Sequence, residues 1–326
     1  MSGPDPDPRG EPEAPDEFAQ IARLYRPLTR GAPEALDLLD DAAVIPQRPG
    51  QDLVVTKDAI VEGVHFPRGE RPDLIARKLL RVNLSDLAAK GAEPWGYFLA
   101  VSWPKRFGWS ERRRFADGLA EDGEGFGLSL LGGDTTSAPD ILTASVTMLG
   151  WCPEGRMVRR AGARVGDLVM VSGAIGDGWL GLKAALGELA DPGGVLAGRY
   201  RLPRPRLDLR ASLRAYAHAA ADVSDGLIAD AGHIARASAV RLRLDLDRTP
   251  LSNEAQAWLD MQPDRVAALV ALASGGDDYQ VICTAPPEAA AQMGLTVIGT
   301  VEAGEGIIVT AGGEAVEAGA GGWRHG

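Results

Sequence analysis

The chain has 326 residues, 45% of them hydrophobic and 24% charged, with a formal net charge of −11. This is the composition of a globular protein with about two domains. It argues against a nucleic-acid binder, which needs Lys and Arg on phosphates, against a disulfide or zinc scaffold, since only Cys152 and Cys283 are present, and against a bilayer-spanning protein, since no apolar run is long enough.

Residues 1–16 (MSGPDPDPRGEPEAPD) are rich in Pro and acid and cannot offset their ordering entropy, so a disordered tail is expected there. The segment is unlike a signal or transit peptide, which makes the cytoplasm the default compartment. A helix is expected near 17–25, then a strand near 52–57 buried on both faces. Leu74, Ile75, Lys78, Leu79, Val82 and Leu87 recur near a 3.6 period, which predicts a helix over 72–90 that Gly91 stops. Strands near 96–102 and 141–150 flank a helix near 110–126 and a short strand at 128–132. The Arg-rich stretch 151–165, punctuated by Gly and Pro, marks a boundary between an N-terminal domain over 17–150 and a C-terminal domain over 151–326. The second half reads as strand 167–172, helix 176–188, a connecting loop over 191–206, helix 207–219, strand 221–224, helix 226–237 and strand 241–246. Helices near 253–272, a strand at 279–284 and a Gly-rich tail with short strands complete it. Strands mixed with longer helices indicate two α+β domains.

Six aspartates carry the chemistry: Asp41 in LLDDAAVIP, Asp58 in DLVVTKDAIVEGVHF, Asp86 in NLSDLAAKGAEP, Asp134 in LLGGDTTSAPD, and Asp222 and Asp225 in ADVSDGLIAD. One Asp in a loop caps a helix or closes a turn. Six at strand ends and helix starts suggest a shared task. Gathered carboxylates repel and raise one another's pKa unless a cation lies between them. For oxygen-only ligands that cation is Mg²⁺, which works with polyphosphates. No lysine follows a glycine, so there is no P-loop, and no GxGxxG opens a helix. Ser224 or Asp225 alone could be an N-cap, but capping leaves Asp222 unexplained. LLGGDTTSAPD taken alone reads first as an ordinary hairpin or loop. Asp86, taken alone, reads as an exposed helix residue paired with Lys90 at i+4.

The stretches DDAAVIP, TKDAIVEGVHF, NLSDLAAKGAEP, GGDTTSAPD, RRAGARVGD, DVSDGLIADAGHIA and SGGDDYQVICT, in this order, together resemble the thiamine-monophosphate kinase family, in the superfamily of aminoimidazole ribonucleotide synthetase and selenophosphate synthetase. The resemblance covers roughly residues 17–325. It implies a two-domain α+β fold of the aminoimidazole ribonucleotide synthetase type, with a β-barrel built from both N-terminal domains of a homodimer and a C-terminal α/β sandwich. It further implies ATP-dependent phosphorylation of thiamine monophosphate with Mg²⁺. By motif, Asp41, Thr56, Asp58, Asp86, Asp134, Asp222 and Asp225 would be metal ligands, with Asp86, Asp134 and Asp225 at the reacting centre. Gly133, Asp134, Arg160 and Ser224 would contact ATP, and His65, Asp277 and Trp323 would lie on the thiamine phosphate side.

Three departures from the family pattern stand out. Leu38-Leu39 replaces part of a Gly-Ile-Gly turn before the Asp-Asp pair. Lys57 stands between Thr56 and Asp58 where the family has a threonine. Asp277 is one methylene shorter than the usual glutamate. Two alternatives remain open at this level. One is another ATP-dependent member of the superfamily, of the purine or selenophosphate synthetase kind. The other is a non-catalytic protein that binds nucleotide or thiamine phosphate.

Overall fold

A computed structural model describes residues 15–317, in two compact units: residues 15–83 with 94–151, and residues 84–93 with 152–317. Most of the expected tail over 1–16 lies outside the described residues, as does Trp323.

The first unit opens with helix α1 (Glu17–Gln20), capped by the Asp16 carboxylate, which accepts the Ala19 N–H at 2.8 Å. The expected helix over 17–25 does not continue as a regular α-helix. Ile21–Tyr25 widens into a π-turn and Arg26–Thr29, with Pro27 near its start, tightens into a 3₁₀-turn. Strand β1 (Gln51–Val61), helix α2 (Pro72–Ala89), strand β2 (Glu93–Pro104), helix α3 (Trp109–Phe126), strand β3 (Ser129–Ala138) and strand β4 (Thr143–Pro153) follow. The sheet order is β1-β4-β2-β3, with β2 and β3 parallel, so β1 and β3 are its edges. Along β1, Val54 and Ile60 are buried while Leu53 and Val55 are exposed. The strand is therefore half-buried, and not buried on both faces.

Helices α2 and α3 are fastened to each other. Arg77 and Arg81 both donate to the buried Asp122 carboxylate, at 2.6–3.0 Å. At Gly118 of α3 a Cβ would sit 2.4 Å from the Asp73 carbonyl oxygen, so only glycine allows this approach.

The second unit contains a seven-stranded mixed sheet. Its elements are β5 (Leu168–Val171), α4 (Asp177–Ala185), α5 (Val195–Arg201), α6 (Arg210–Tyr216), β6 (Ala219–Val223), α7 (Leu227–Ser238), β7 (Arg241–Asp245), α8 (Asn253–Asp260) and α9 (Arg265–Ser274). Strand β8 (Gln280–Ala285), α10 (Pro287–Met293), β9 (Thr296–Glu302), β10 (Gly306–Ala311) and β11 (Glu314–Val316) complete it. The strand order is β11-β10-β7-β9-β5-β8-β6. One face packs Val169, Val171, Ala219, Ala221 and Val223 against apolar residues of α7 and α9. The other packs Met170, Ala220, Val281 and Cys283 with Leu209, Leu213 and Ala89. Ala89, with the Lys90 bond to the Ala220 carbonyl and the Arg210–Glu93 ion pair, ties residues 84–93, expected in the first domain, to the second unit. The stretch 191–206 is more than a loop: it contains α5, whose Leu196, Ala197 and Tyr200 are buried.

Gly118→Ala is expected to lower stability by about 1–3 kcal/mol through overpacking at the α2–α3 contact. Urea denaturation measures this, and an unchanged midpoint would refute the close approach.

Candidate functional site

The second unit joins several of the expected residues. Asp222 is the penultimate residue of β6 and is 4% exposed. Burial drives its carboxyl well above the usual range; Asp86 and Asp230 push the same way, and Ser85 and Lys90 oppose. Ser224 and Asp225 follow the strand, and Gly226 leads into α7. Strand β6 ends at Val223, so Ser224 lies outside it. Its N–H and that of Asp225 donate to Asp230 Oδ2 at 3.0 and 3.1 Å. Asp230, in the first turn of α7, is fully buried, and its Oδ1 has no hydrogen-bond partner among the described residues. Burial, and then Asp225, raise its pKa to about 7. Asp86, Asp222, Asp230 and Asp225 thus form a chain of interacting carboxylates. His233, one turn beyond Asp230, offers a ring nitrogen within 4.8 Å of carboxylate oxygens of Asp225 and Asp230. The exposed Arg160 supplies positive charge close enough to act on Asp230, His233 and Lys90.

Asp277 joins this group through the backbone. Its N–H donates to the Ser224 carbonyl at 2.8 Å, and the Tyr279 N–H donates to that of Val223 at 2.8 Å. Asp277 and Tyr279 have φ of 61° and 50°, a region costly for side-chain-bearing residues. The Tyr279 hydroxyl donates to Asp277 Oδ1 at 3.0 Å. The buried Asp278 carboxylate anchors the turn by accepting the Gly176 and Gly178 N–H groups at 2.9–3.0 Å. Burial nevertheless lifts its pKa to about 8.

The first unit holds the other candidates. Asp41, Gly133, Asp134 and Thr135 line a cavity of about 560 Å³. Gly133 and Asp134 lie within β3, not in a hairpin loop, and a Cβ on Gly133 would sit 1.9 Å from the Leu99 carbonyl oxygen. Glycine is therefore required there for strand pairing, whatever it does for a ligand. Ahead of Asp41, Leu36, Asp37 and Leu38 have φ of 47°, 58° and 55°, a strained run that ends at Leu39, whose φ is −106°. Thr56 and Asp58 lie on β1, the edge opposite Asp134. The Asp58 N–H donates to Asn83 Oδ1 at 3.2 Å. His65 accepts the Val61 N–H at Nδ1, 3.0 Å away, which leaves Nε2 as the protonated nitrogen of its neutral ring. Lys57 alternates to the other side of β1 from Thr56 and Asp58 and donates to Ser145 Oγ at 3.0 Å. It does not take the place of a ligand on the Asp58 face.

Asp230, His233 and Lys90 are additions to the expected set. The first two sit in DVSDGLIADAGHIA at i and i+3, a spacing that places them on one helical face. In the second unit, hard oxygen donors around buried carboxyls, including the unpartnered Asp230 oxygen, fit a small divalent cation. Asp86 is half-buried, not an exposed helix residue.

Family models for the N-terminal and C-terminal domains of AIR synthase related proteins match residues 39–152 and 164–312. The thiamine-monophosphate kinase of Caulobacter vibrioides is 57% identical over 321 residues, covering 96% of this chain and 91% of that protein. The thiamine-monophosphate kinase structure from Stenotrophomonas maltophilia superposes with a TM-score of 0.79 at 39% identity, covering 92% and 98% of the two chains. AaThiL, solved in complex with AMPPCP and TMP, gives 0.77 at 34% identity, covering 86% and 89%.

Because the Asp278 pKa rises from 3.8 to about 8 on folding, the folded state holds a proton that the unfolded chain releases, and stability falls as pH rises through that interval. In chelator-containing buffer, Asp278→Asn is expected to flatten the fall between pH 5 and 7.5 by up to ~1.4 kcal/mol per pH unit. Urea denaturation across that range reads the slope, and identical slopes would refute the assignment.

Proposed function

This chain belongs to the thiamine-monophosphate kinase family, and we propose that it transfers the terminal phosphoryl group of ATP to thiamine monophosphate, giving thiamine diphosphate and ADP. The observation that carries this reading is the chain of carboxylates from Asp86 through Asp222 and Asp230 to Asp225 at the mouth of α7. The relative that holds AMPPCP and TMP supports it.

The acceptor phosphate has a second pKa near 6 and is largely ionised at neutral pH, so no strong general base is needed. The obstacle is repulsion between two anions. Asp86, Asp222 and Asp225 in the second unit, and Asp41, Thr56, Asp58 and Asp134 in the first, would hold Mg²⁺, with Asp86, Asp134 and Asp225 nearest the reaction. Bound Mg²⁺ neutralises phosphate charge and stabilises the transferring group. Arg160, the Ser224 hydroxyl and Gly133 would contact ATP, the first by its guanidinium charge. His65, through Nε2–H, and Asp277, steadied by Tyr279, orient the thiamine phosphate. Transfer is direct and in line, without a phosphoenzyme. The open edges β1 and β3 favour a homodimer whose two four-stranded sheets close into a barrel. No helix among the described residues is long and apolar enough to cross a membrane, and we place the enzyme in the cytoplasm.

A coupled ADP-release assay with Mg-ATP, with and without thiamine monophosphate, tests the reading when the product is identified by chromatography. Product that requires both substrates is expected; nucleotide binding without product would favour the non-catalytic alternative. Asp222→Asn should lower kcat by roughly 10²–10³-fold, the scale of losing one electrostatic element of a transition-state site. A loss under threefold would remove Asp222 from the site.

Trp323 is proposed as an aromatic wall for the cationic thiazolium, an attraction of ~0.5–2 kcal/mol. Trp323→Ala is then expected to raise KM for thiamine monophosphate by about 2–30-fold while KM for ATP stays near normal. Equal shifts in both constants would count against the wall.

A further inference from the structure

The carboxylate chain of the second unit has a cation that the phosphoryl-transfer reading does not use. Lys90 lies one turn after Asp86, just beyond the end of α2, with its N–H on the Asp86 carbonyl at 3.0 Å. Its Nζ crosses to β6 and donates to the Ala220 carbonyl at 2.7 Å. Ala220 and Asp222 are two residues apart in the same strand and so share a face. On that face Ala220 packs with Ala89, the residue before Lys90. The ammonium is therefore fixed where α2 and β6 meet, within electrostatic range of Asp222 and Asp86. Arg160 is exposed, whereas Lys90 is half-buried. Burial lowers the Lys90 pKa to about 8, and the nearby Asp222 works against that fall.

A buried ammonium and a buried carboxylate are each costly alone and tolerable together. A divalent cation at Asp86 and Asp222 would draw on the same negative charge that Lys90 already partly balances. We propose that Lys90 is a built-in counter-cation that offsets part of the charge of Asp86 and Asp222 in the metal-free protein and weakens divalent-cation binding to them. The proposal rests on reading this cluster as a metal site.

The test uses the full-length chain without nucleotide. Lys90→Gln keeps a donor for the Ala220 carbonyl but removes the charge, Lys90→Met removes both, and Lys90→Arg keeps the charge. Mn²⁺ binding is measured by calorimetry, with Mg²⁺ as competitor, and Tm is measured in EDTA and in Mg²⁺. The Gln and Met variants should bind Mn²⁺ roughly 3–10-fold more tightly, by loss of a like charge beside the site. They should also lose Tm in EDTA and regain most of it in Mg²⁺, while Arg stays near wild type. A variant that folds only in Mg²⁺ would be the same result at its extreme. Equal Tm losses in both buffers with unchanged Mn²⁺ affinity would overturn the proposal and leave Lys90 as a structural tie between α2 and β6. A wild-type protein that neither binds Mn²⁺ nor responds to Mg²⁺ would overturn the metal reading itself, and this proposal with it.

Discussion

Like charges gathered in a buried corner set the terms for the second unit. Asp222 sits in a strand end that is otherwise apolar, with Asp86 and Asp230 acting on it. Left unbalanced, such a group takes up a proton or destabilises the fold. Several features offset this. Asp230 spends one oxygen on the Ser224 and Asp225 amides, which fixes the entry to α7. The positive end of that helix favours the carboxylates of its first turn. Lys90 and Arg160 add formal positive charge. What remains unmet, the second Asp230 oxygen and the high Asp222 pKa, is the part of the balance that a bound cation would complete.

The neighbouring turn shows how strain is held in place. Asp277 and Tyr279 adopt left-handed backbone conformations, which cost more at the bulky Tyr279 than at Asp277. Two backbone hydrogen bonds to Val223 and Ser224 tie the turn to the end of β6, and Asp278 ties it to the start of α4. With both flanks fastened, the strained conformation becomes the one that satisfies most buried polar groups. Asp277 is thereby tied through its backbone to Ser224, and its carboxylate is steadied by the Tyr279 hydroxyl.

How far the sequence can be read depends on the range of the interaction that decides each feature. The Asp222–Asp225 group was legible because strand and helix meet within a few residues. So was the periodic helix that became α2. Asp230 and His233 were within reach of helical spacing. The orientation of Lys57 was also within reach, since strand parity alone puts it opposite Asp58. The role of Lys90 was not. At i+4 from Asp86 it looks like a surface pair, and only the packing of Ala89 on the β6 face turns it inward. The helix inside 191–206 was hidden by its Pro and Gly, because Leu196 and Tyr200 gain their stability from tertiary burial. The break in the first helix is equally non-periodic: a π-turn and a 3₁₀-turn follow α1 at once.

A protein with a formal net charge of −11 and no lysine placed for a P-loop is poorly suited to capture polyphosphates by its own positive charge. Its long-range field opposes both proposed substrates, which are anions. Its acidic side chains are useful to such chemistry only as ligands for cations, since a carboxylate beside a phosphate is otherwise repulsive. The distribution of candidates follows from this. Asp41 and Asp134 share a cavity in one unit, while Asp86, Asp222 and Asp225 share a corner of the other. If metal ions, and not a glycine-rich backbone cradle, provide the positive charge that phosphoryl transfer demands, these carboxylates are where each unit could hold them.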